Sequence, residues 1–310
     1  METETAAPVL SSTTLASLML IPLAIIFNLF MSSNERVLPN IPYVYKRFGP
    51  SLIGKWRFLI KGRRMMEEGY AQHRVFQMTT QNGALVFLSH DQMAELLRQP
   101  DEVIDMVETV RVEFETDLTK LTPYQPIVPH TILANLTPAL GRIIPRLWEE
   151  VEKAIPMYLP KTDDWTTVKL QEKLQPIVAI VAGSAFIGNE LCYTQEWIKP
   201  AIGYTVDVMG AAMEMKVFPS FLRAYVAPYL PRIRRAQQYR VNIRRWLGPI
   251  IEVRRKAENE PGHSKPDDML QWMLEKREDF NIKTDEDMAA IQLGVALVSI
   301  HSTSRTTTQA

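Results

Sequence analysis

Between Glu4 and Glu35 the chain carries no charged side chain. An uncharged stretch of that length has three destinations: a bilayer, a buried core or a cleaved leader. Its centre, Leu15 to Met31, is apolar apart from Ser17, Pro22 and Asn28. A spanning helix typically takes about 20 residues, so the run is at the short end. A secretory signal opens with a basic region and closes on a small-residue cleavage site. Here Glu2 and Glu4 lead, and Arg36, Lys46 and Arg47 follow. That charge order favours an uncleaved anchor over a signal or a core helix. It places the tail in the lumen and the body on the cytosolic side. The expected organisation is a lumenal tail over 1–14, a transmembrane anchor over 15–31, a Pro-rich hinge over 32–50 and a globular body over 51–310. Pro39, Pro42 and Pro50 fix φ and bias their preceding residues to extended geometry, which makes the hinge semi-rigid.

The body reads as mainly α with a small β-hairpin. There are 13 Gly against 21 Pro, so long apolar periodicities are punctuated by Pro rather than by Gly-rich loops. Gly62 to His73 reads as a short helix. Arg74 to Thr80 and Leu85 to Leu88 flank Gln81-Asn-Gly-Ala84, and Asn-Gly between β-prone runs is a strong hairpin signal. His90 to Gln99 reads as a helix stopped by Pro100. Beyond Thr122 the pattern is helical throughout. Pro129 to Leu140 forms one helix, broken at Gly141 and Pro145, after which Leu147, Val151 and Ile155 share a face. Val168 to Ile187 ends at Gly188-Asn189, a C-cap signal. Glu196 to Met215 carries Trp197, Ala201, Tyr204, Val208 and Met215. Pro228 to Glu258 carries Tyr239, Ile243, Trp246, Ile250 and Val253 as its apolar stripe, with a kink expected at Pro249. Asp267 to Lys276 is a further helix, and acids at Thr284-Asp-Glu-Asp287 open the last one. The basic tract from Arg232 through Lys256 reads as a solvated helix face, with a docking surface for anionic lipid or an acidic partner as the rival.

Composition excludes several chemistries. Lys plus Arg and Asp plus Glu are both 35, so no basic domain supports a nucleic-acid partner. Cys192 is the single cysteine, which rules out an internal disulfide and suits a reducing compartment. The five histidines, His73, His90, His130, His263 and His301, show no metal-ligand spacing. No Gly-rich phosphate loop is present. Asn135-Leu-Thr137 is a glycosylation sequon, expected unmodified in a cytosolic helix.

The order of segments then carries a resemblance. Asp164-Trp-Thr-Thr-Val168 precedes a helix, Phe186-Ile-Gly-Asn-Glu-Leu-Cys192 ends one, and Glu196-Trp-Ile198 and Tyr204-Thr-Val-Asp207 begin the next. Ser299-Ile-His-Ser-Thr303 lies in the final apolar segment, which runs on without Gly, Asn or Pro as a stop. With the anchor, hinge and hairpin, this set resembles the N-terminal part of the microsomal cytochrome P450 monooxygenases of fungal secondary metabolism. The resemblance implies an incomplete cytochrome P450 fold preceded by one transmembrane helix, and haem b as cofactor. It implies the endoplasmic reticulum membrane as the single-pass location. It also implies an NADPH-cytochrome P450 reductase as electron donor and a hydrophobic small molecule, a terpenoid, indole-terpenoid or polyketide, as substrate.

In that family the central helix carries two small residues, any residue, an acid and a Thr, which feed protons to iron-bound dioxygen. The matching positions are Val298, Ser299, Ile300, His301 and Ser302, followed by Thr303 and Ser304. The resemblance implies that His301 and Ser302 or Thr303 line the oxygen pocket, since an imidazole and hydroxyls can relay protons near neutral pH. Without the resemblance, the hydroxyls read as bonding back to the preceding turn. His130 is the candidate beside a haem propionate, with a solvated loop histidine as the rival.

The family's iron is held by a Cys thiolate in a loop of the form Phe-x-x-Gly-x-x-x-Cys-x-Gly. No such loop occurs here, and Cys192 reads as a buried, inert thiol. Glu252-Val-Arg-Arg255 has the letters of the family's Glu-x-x-Arg brace in the wrong place and reads as a surface pair. The missing portion implies that the face of Leu293, Leu297 and Ile300 is exposed. The alternative functional reading is an inactive truncated remnant, or a non-catalytic membrane-anchored helical protein.

Overall fold

The computed structural model describes residues 22–23, 37–45 and 51–309, apart from 81, 101, 123, 219, 259, 261 and 263. The tail over 1–14, the anchor over 15–31 except residues 22 and 23, and hinge residues 32–36 and 46–50 lie outside the described residues. Among the described residues, no helix is long and apolar enough to cross a membrane. The chain divides into two compact units. One combines the residues up to Met106 with Met213–Val226; the other combines Val107–Ala212 with Ala227–Ala310.

In the first unit, helix α1 (Ser51–Gln72) packs on an antiparallel hairpin of β1 (Val75–Thr80) and β2 (Gly83–Leu88). The hairpin is where the sequence placed it, but its loop is tighter. Thr80 pairs with Gly83 across the turn. Asn82-Gly83 still does its job: Gly83 sits at φ +99°, a conformation that costs Gly little. β1 is buried on both faces. Phe76 and Met78 face Met65 of α1 and Val44. The Phe76 ring stacks on Phe87 at 5.2 Å and meets the edge of Tyr70 at 5.1 Å, both favourable arene geometries.

Gln77, 1% exposed, clamps the hinge segment. Its amide donates to Leu38 O (2.6 Å) and Ile41 O (2.7 Å) and accepts from Leu38 N (3.0 Å). Backbone bonds Val44 N to Gln77 O and Gln77 N to Pro42 O complete the staple. The residues 37–45 are therefore docked onto β1, beyond the semi-rigid hinge that Pro content alone suggested. The helix expected from Gly62 begins eleven residues earlier, at Ser51. That expected over His90–Gln99 is a 3₁₀ turn at His90–Gln92 followed by α2 (Met93–Leu96).

The second unit is helical throughout. It comprises α3 (Met106–Glu113), α4 (Thr116–Thr119), α5 (Ile127–Thr131), α6 (Thr137–Tyr158), α7 (Leu170–Phe186), α8 (Gln195–Met215), α10 (Pro231–Ala257), α11 (Met269–Lys276) and α12 (Asp285–Gln309). The short α9 (Ser220–Val226) falls in the first unit, and α8 and α3 each run across a boundary between units. Helices α7, α10 and α12 pack together around Ile180, Ile243, Leu247, Leu293 and Ile300. Trp197 of α8 is fully buried, and its indole N–H donates to Ala179 O at 2.9 Å. This contact explains Gly183: a Cβ there would lie 2.5 Å from the Trp197 nitrogen.

Several sequence expectations are corrected. The break at Gly141 and Pro145 does not occur, because α6 runs through both. Pro145 lies on the exposed side, where the carbonyl it leaves unbonded can turn to solvent. The buried side of α6 is Ala139, Ile143, Glu150 and Ala154 rather than Leu147, Val151 and Ile155. On α10 the stripe is turned by about one residue. Ala236, Ile243, Leu247, Ile251 and Arg254 are buried, while Trp246 and Val253 are exposed. Two overlapping stripes share Ile243, and periodicity could not choose between them. By contrast, every apolar position named on α8 is buried. Helices α3 and α4 were not foreseen.

Candidate functional site

The last helix is built to start firmly and to open late. Thr284 Oγ1 accepts from Asp287 N (3.1 Å) and donates to the Asp287 carboxylate (2.7 Å), which in turn accepts from Thr284 N, a reciprocal cap. Asp285 pairs with Arg255 and Arg277, and Glu286 with Arg244, so the acidic first turn is held by basic side chains of the neighbouring elements. From Met288 to Leu293 α12 is buried on all sides. Leu293 and Ile300 are fully buried and Leu297 half-buried, which corrects the expectation that this face is uncovered. α7 and α10 cover it.

The side that opens is a different one. It runs Gly294, Val298, Ser302, Arg305, at spacings of four, four and three. Nothing lies within 4 Å of where a Gly294 Cβ would be, and Val298 is 67% exposed. Ser302 and Thr303 are exposed on the next turn and Ser304 is buried. The hydroxyl hydrogens of Ser302 and Ser304 are committed to the helix itself. Ser302 Oγ donates to Val298 O at 2.5 Å, Ser304 Oγ to His301 O at 3.4 Å, and Thr307 and Thr308 do the same one turn on. This is back-bonding in a Ser/Thr-rich helix, and it leaves the Ser302 oxygen as an acceptor on the open side.

His301 is half-buried, with Nε2 3.1 Å from Ile202 O of α8. A carbonyl only accepts, so this bond requires the proton on Nε2 and leaves Nδ1 as an acceptor. The structure thus gathers His301, Ser302 and Thr303 at the open end of α12. It sets His130 elsewhere, exposed at the C-terminal end of α5, its ring 5.0 Å from that of Phe280. Immediately after His130 the helix passes through a π-turn over Ile132–Leu136, and the Thr131 hydroxyl at its start is buried without a partner. Such turns are rare and collect at functional positions. Neither was legible in the sequence.

Cys192 is fully buried, and burial, with Glu150 nearby, pushes its thiol up to about 12. A thiol held protonated in this way is a poor metal ligand. Among the described residues, no group of three His, Cys, Asp or Glu side chains could hold a metal ion.

The strongest buried polar centre was missed altogether. Arg254, 4% exposed, sits inside what read as a solvated basic face. Its guanidinium binds Asp268 in a two-pronged pair (2.7 and 2.8 Å), reaches Glu190 (3.0 Å) and donates to Ile187 O (3.2 Å). Burial opposes its charge, but the Asp268 and Glu190 carboxylates more than offset this and raise its pKa. Asp268 also caps α11 by accepting from Gln271 N at 2.9 Å. Gly188, at φ +86°, leaves the room: a Cβ there would lie 2.3 Å from Glu190, 2.6 Å from Arg254 and 2.7 Å from Asp268. The sequence placed a helix over Asp267 to Lys276, but nothing there linked Asp268 to one arginine among many.

No protein-family model matches the chain. Several curated fungal proteins do, over most of its length. It is 30% identical over 296 residues to the cytochrome P450 monooxygenase penP of Penicillium crustosum, covering 94% of this chain and 57% of that protein. It is 27% identical to cytochrome P450 monooxygenase AtmP of Aspergillus flavus (93% and 57%), and 28% identical to paxP of Penicillium paxilli (82% and 51%). The chain spans about half the length of the curated relatives it matches.

Proposed function

This chain is a relative of the fungal cytochrome P450 monooxygenases, and from that premise we propose that it contributes the oxygen-site helix and the membrane-proximal region of such an enzyme. The observation that carries the reading is the open side of α12, where Gly294, Val298, Ser302 and His301 put small, apolar and proton-handling groups on consecutive turns.

Haem, when bound, supplies the oxidant that carries one oxygen atom of dioxygen into a substrate. The residues present fit it only in part. Gly294 and Val298 offer an unobstructed apolar surface for a flat ring, but the one cysteine is buried and its thiol is held protonated. Iron ligation is not supplied by this sequence. The residues themselves can accept protons. His301 Nδ1 is an acceptor while Nε2–H is held by Ile202 O, and Ser302 can pass its proton outward only by leaving the Val298 carbonyl. Thr303 stands exposed beside them, and His130 remains a propionate candidate of this reading. A hydrophobic terpenoid or indole-terpenoid of secondary metabolism is the proposed substrate class, NADPH-cytochrome P450 reductase the electron donor, and the endoplasmic reticulum membrane the location, through the apolar run Leu15 to Met31.

The test is spectroscopic. The polypeptide of this sequence, reduced under carbon monoxide, is expected to give no thiolate-haem band near about 450 nm. A reading frame extended through a Cys-bearing loop is expected to give one. A band from the present sequence alone overturns the ligand argument, and no band from the extended protein overturns the enzyme reading.

A further inference from the structure

We propose that the outer side of α10 is a two-fold contact surface for a second copy of this chain. Ile243, Leu247, Ile251 and Arg254 bury one side of that helix. A second apolar strip lies on the side the fold leaves uncovered. Trp246 is 42% exposed and Val253 66%, with Pro249 exposed between them. At 100° per residue, Pro249 sits about 160° around the helix from Leu247. A helix that packs on one core needs one apolar stripe, and α10 has two.

The pattern on the outer side reads the same from both ends. Along one edge run Trp246 and Val253, and along the other Arg245 and Glu252. Each pair is two helical turns apart, so its members share an edge. Both pairs are centred within one residue of Pro249. A two-fold axis through Pro249, perpendicular to the helix, keeps each edge on its own side and reverses its direction. It sets Trp246 of one copy against Val253 of the other, and Arg245 against Glu252, each contact occurring twice. Like charges stay apart, because the two Arg245 residues stand about 12 Å from each other along the axis.

These side chains are free to make such contacts. Arg245 rests 5.9 Å from the Trp246 ring, and Glu252 pairs with Lys256 at 2.7 Å on the open surface. Exposed pairs of that kind are worth little and are readily exchanged. Other arginines of the tract are engaged within the chain: Arg235 by Asp207, Arg244 by Glu286 and Arg255 by Asp285. The strip thus offers both signs of charge, which fits a copy of itself better than an acidic partner or anionic lipid. From Val241 to Lys256 the exposed side extends about 22 Å. One helix pair of that length falls short of the roughly 800 Å² per partner of a standard interface, so the dimer is weak and dissociates on dilution.

The experiment uses the full chain in non-ionic detergent. Packed helices bring facing Cα atoms to about 5 Å, so a thiol at Pro249→Cys can bridge to its two-fold mate. Cys192 is buried, and Met157→Cys, exposed on α6, is the control. Under a mild oxidant the residue-249 thiol is expected to give a covalent dimer whose yield falls on dilution, and the residue-157 thiol none. In the Pro249→Cys background, Arg245→Glu and Glu252→Arg each set like charges together and are expected to cut the yield about ten-fold. Mixing these two variants in equal amounts is expected to restore it, since both contacts then join opposite charges. Only an interface between copies gives that recovery. The inference is overturned by no dimer at any concentration, by equal cross-linking of both thiols, by yields indifferent to charge reversal, or by a mixture that does not recover. A polarity-sensitive dye on the residue-249 thiol that brightens on anionic vesicles while no dimer forms gives the strip to lipid and overturns it too.

Discussion

Arg254 and the open side of α12 are both polar features of the helical unit, yet they are built in opposite ways. Around Arg254 the charges are drawn together: Asp268 is 2% exposed, Glu190 reaches in from the surface, Gly188 clears the space, and one guanidinium joins the end of α7, the last turn of α10 and the start of α11. At the open end of α12 the Ser302 and Thr307 hydroxyls stand at the surface and bond only to their own helix, while His301 reaches across to α8. The first arrangement commits charges to holding structure, because removing one partner strands another in a low dielectric. The second leaves acceptors that something from outside can engage.

Five substitutions probe that contrast, from largest expected effect to smallest. Arg254→Met strands the buried Asp268 carboxylate and is expected to cost about 3–5 kcal/mol in chemical denaturation. A loss below 1 kcal/mol would show that Asp268 simply takes up solvent or a proton. Gly188→Ala forces a left-handed backbone on a residue with a Cβ and presses into all three charged groups, for about 1–3 kcal/mol. Should it prove neutral, the end of α7 is more pliant than its contacts imply.

Third is Glu150, 2% exposed and bonded to the Tyr193 hydroxyl and to Lys153 (3.0 Å). Burial disfavours its charge, but those two hydrogen bonds prevail and lower its pKa from 4.5. Its folded pKa being depressed, its contribution is present above 4.5 and is lost as pH falls through the folded value. Glu150→Gln is therefore expected to flatten the acid limb of a stability–pH curve and to leave its alkaline limb alone. An acid limb identical to that of the parent counts against the carboxylate. Last come the α12 residues. His301→Ala removes one interhelical hydrogen bond, for about 1 kcal/mol, and Ser302→Ala, exposed, is expected to stay within about 0.5 kcal/mol. If Ser302→Ala matched Arg254→Met in cost, the distinction between a holding centre and an open one would collapse.

Much of the architecture was legible because it rests on local chemistry. Asn82-Gly83 marked the hairpin, Thr284 to Asp287 marked a helix start, and the single stripe Trp197-Ala201-Tyr204-Val208 marked a buried side. Where two readings were locally equal the sequence could not decide. On α10, the stripes through Trp246 and through Leu247 are both good amphipathic patterns, and burial against α12 selected the second. On α12, Leu293 and Ile300 read as a face left uncovered by the absent portion, and its covering by α7 and α10 is a long-range fact the sequence did not display.

By itself, then, the sequence determined the helical class, the hairpin, the helix starts and the family resemblance, since each rests on residues a few positions apart. Tertiary structure alone decided which of several arginines is buried, which side of α12 is open, and that a glutamine at position 77 clamps the hinge. Those outcomes depend on groups brought together from 14 to 67 residues apart. Their desolvation and pairing energies exist only once the helices have packed.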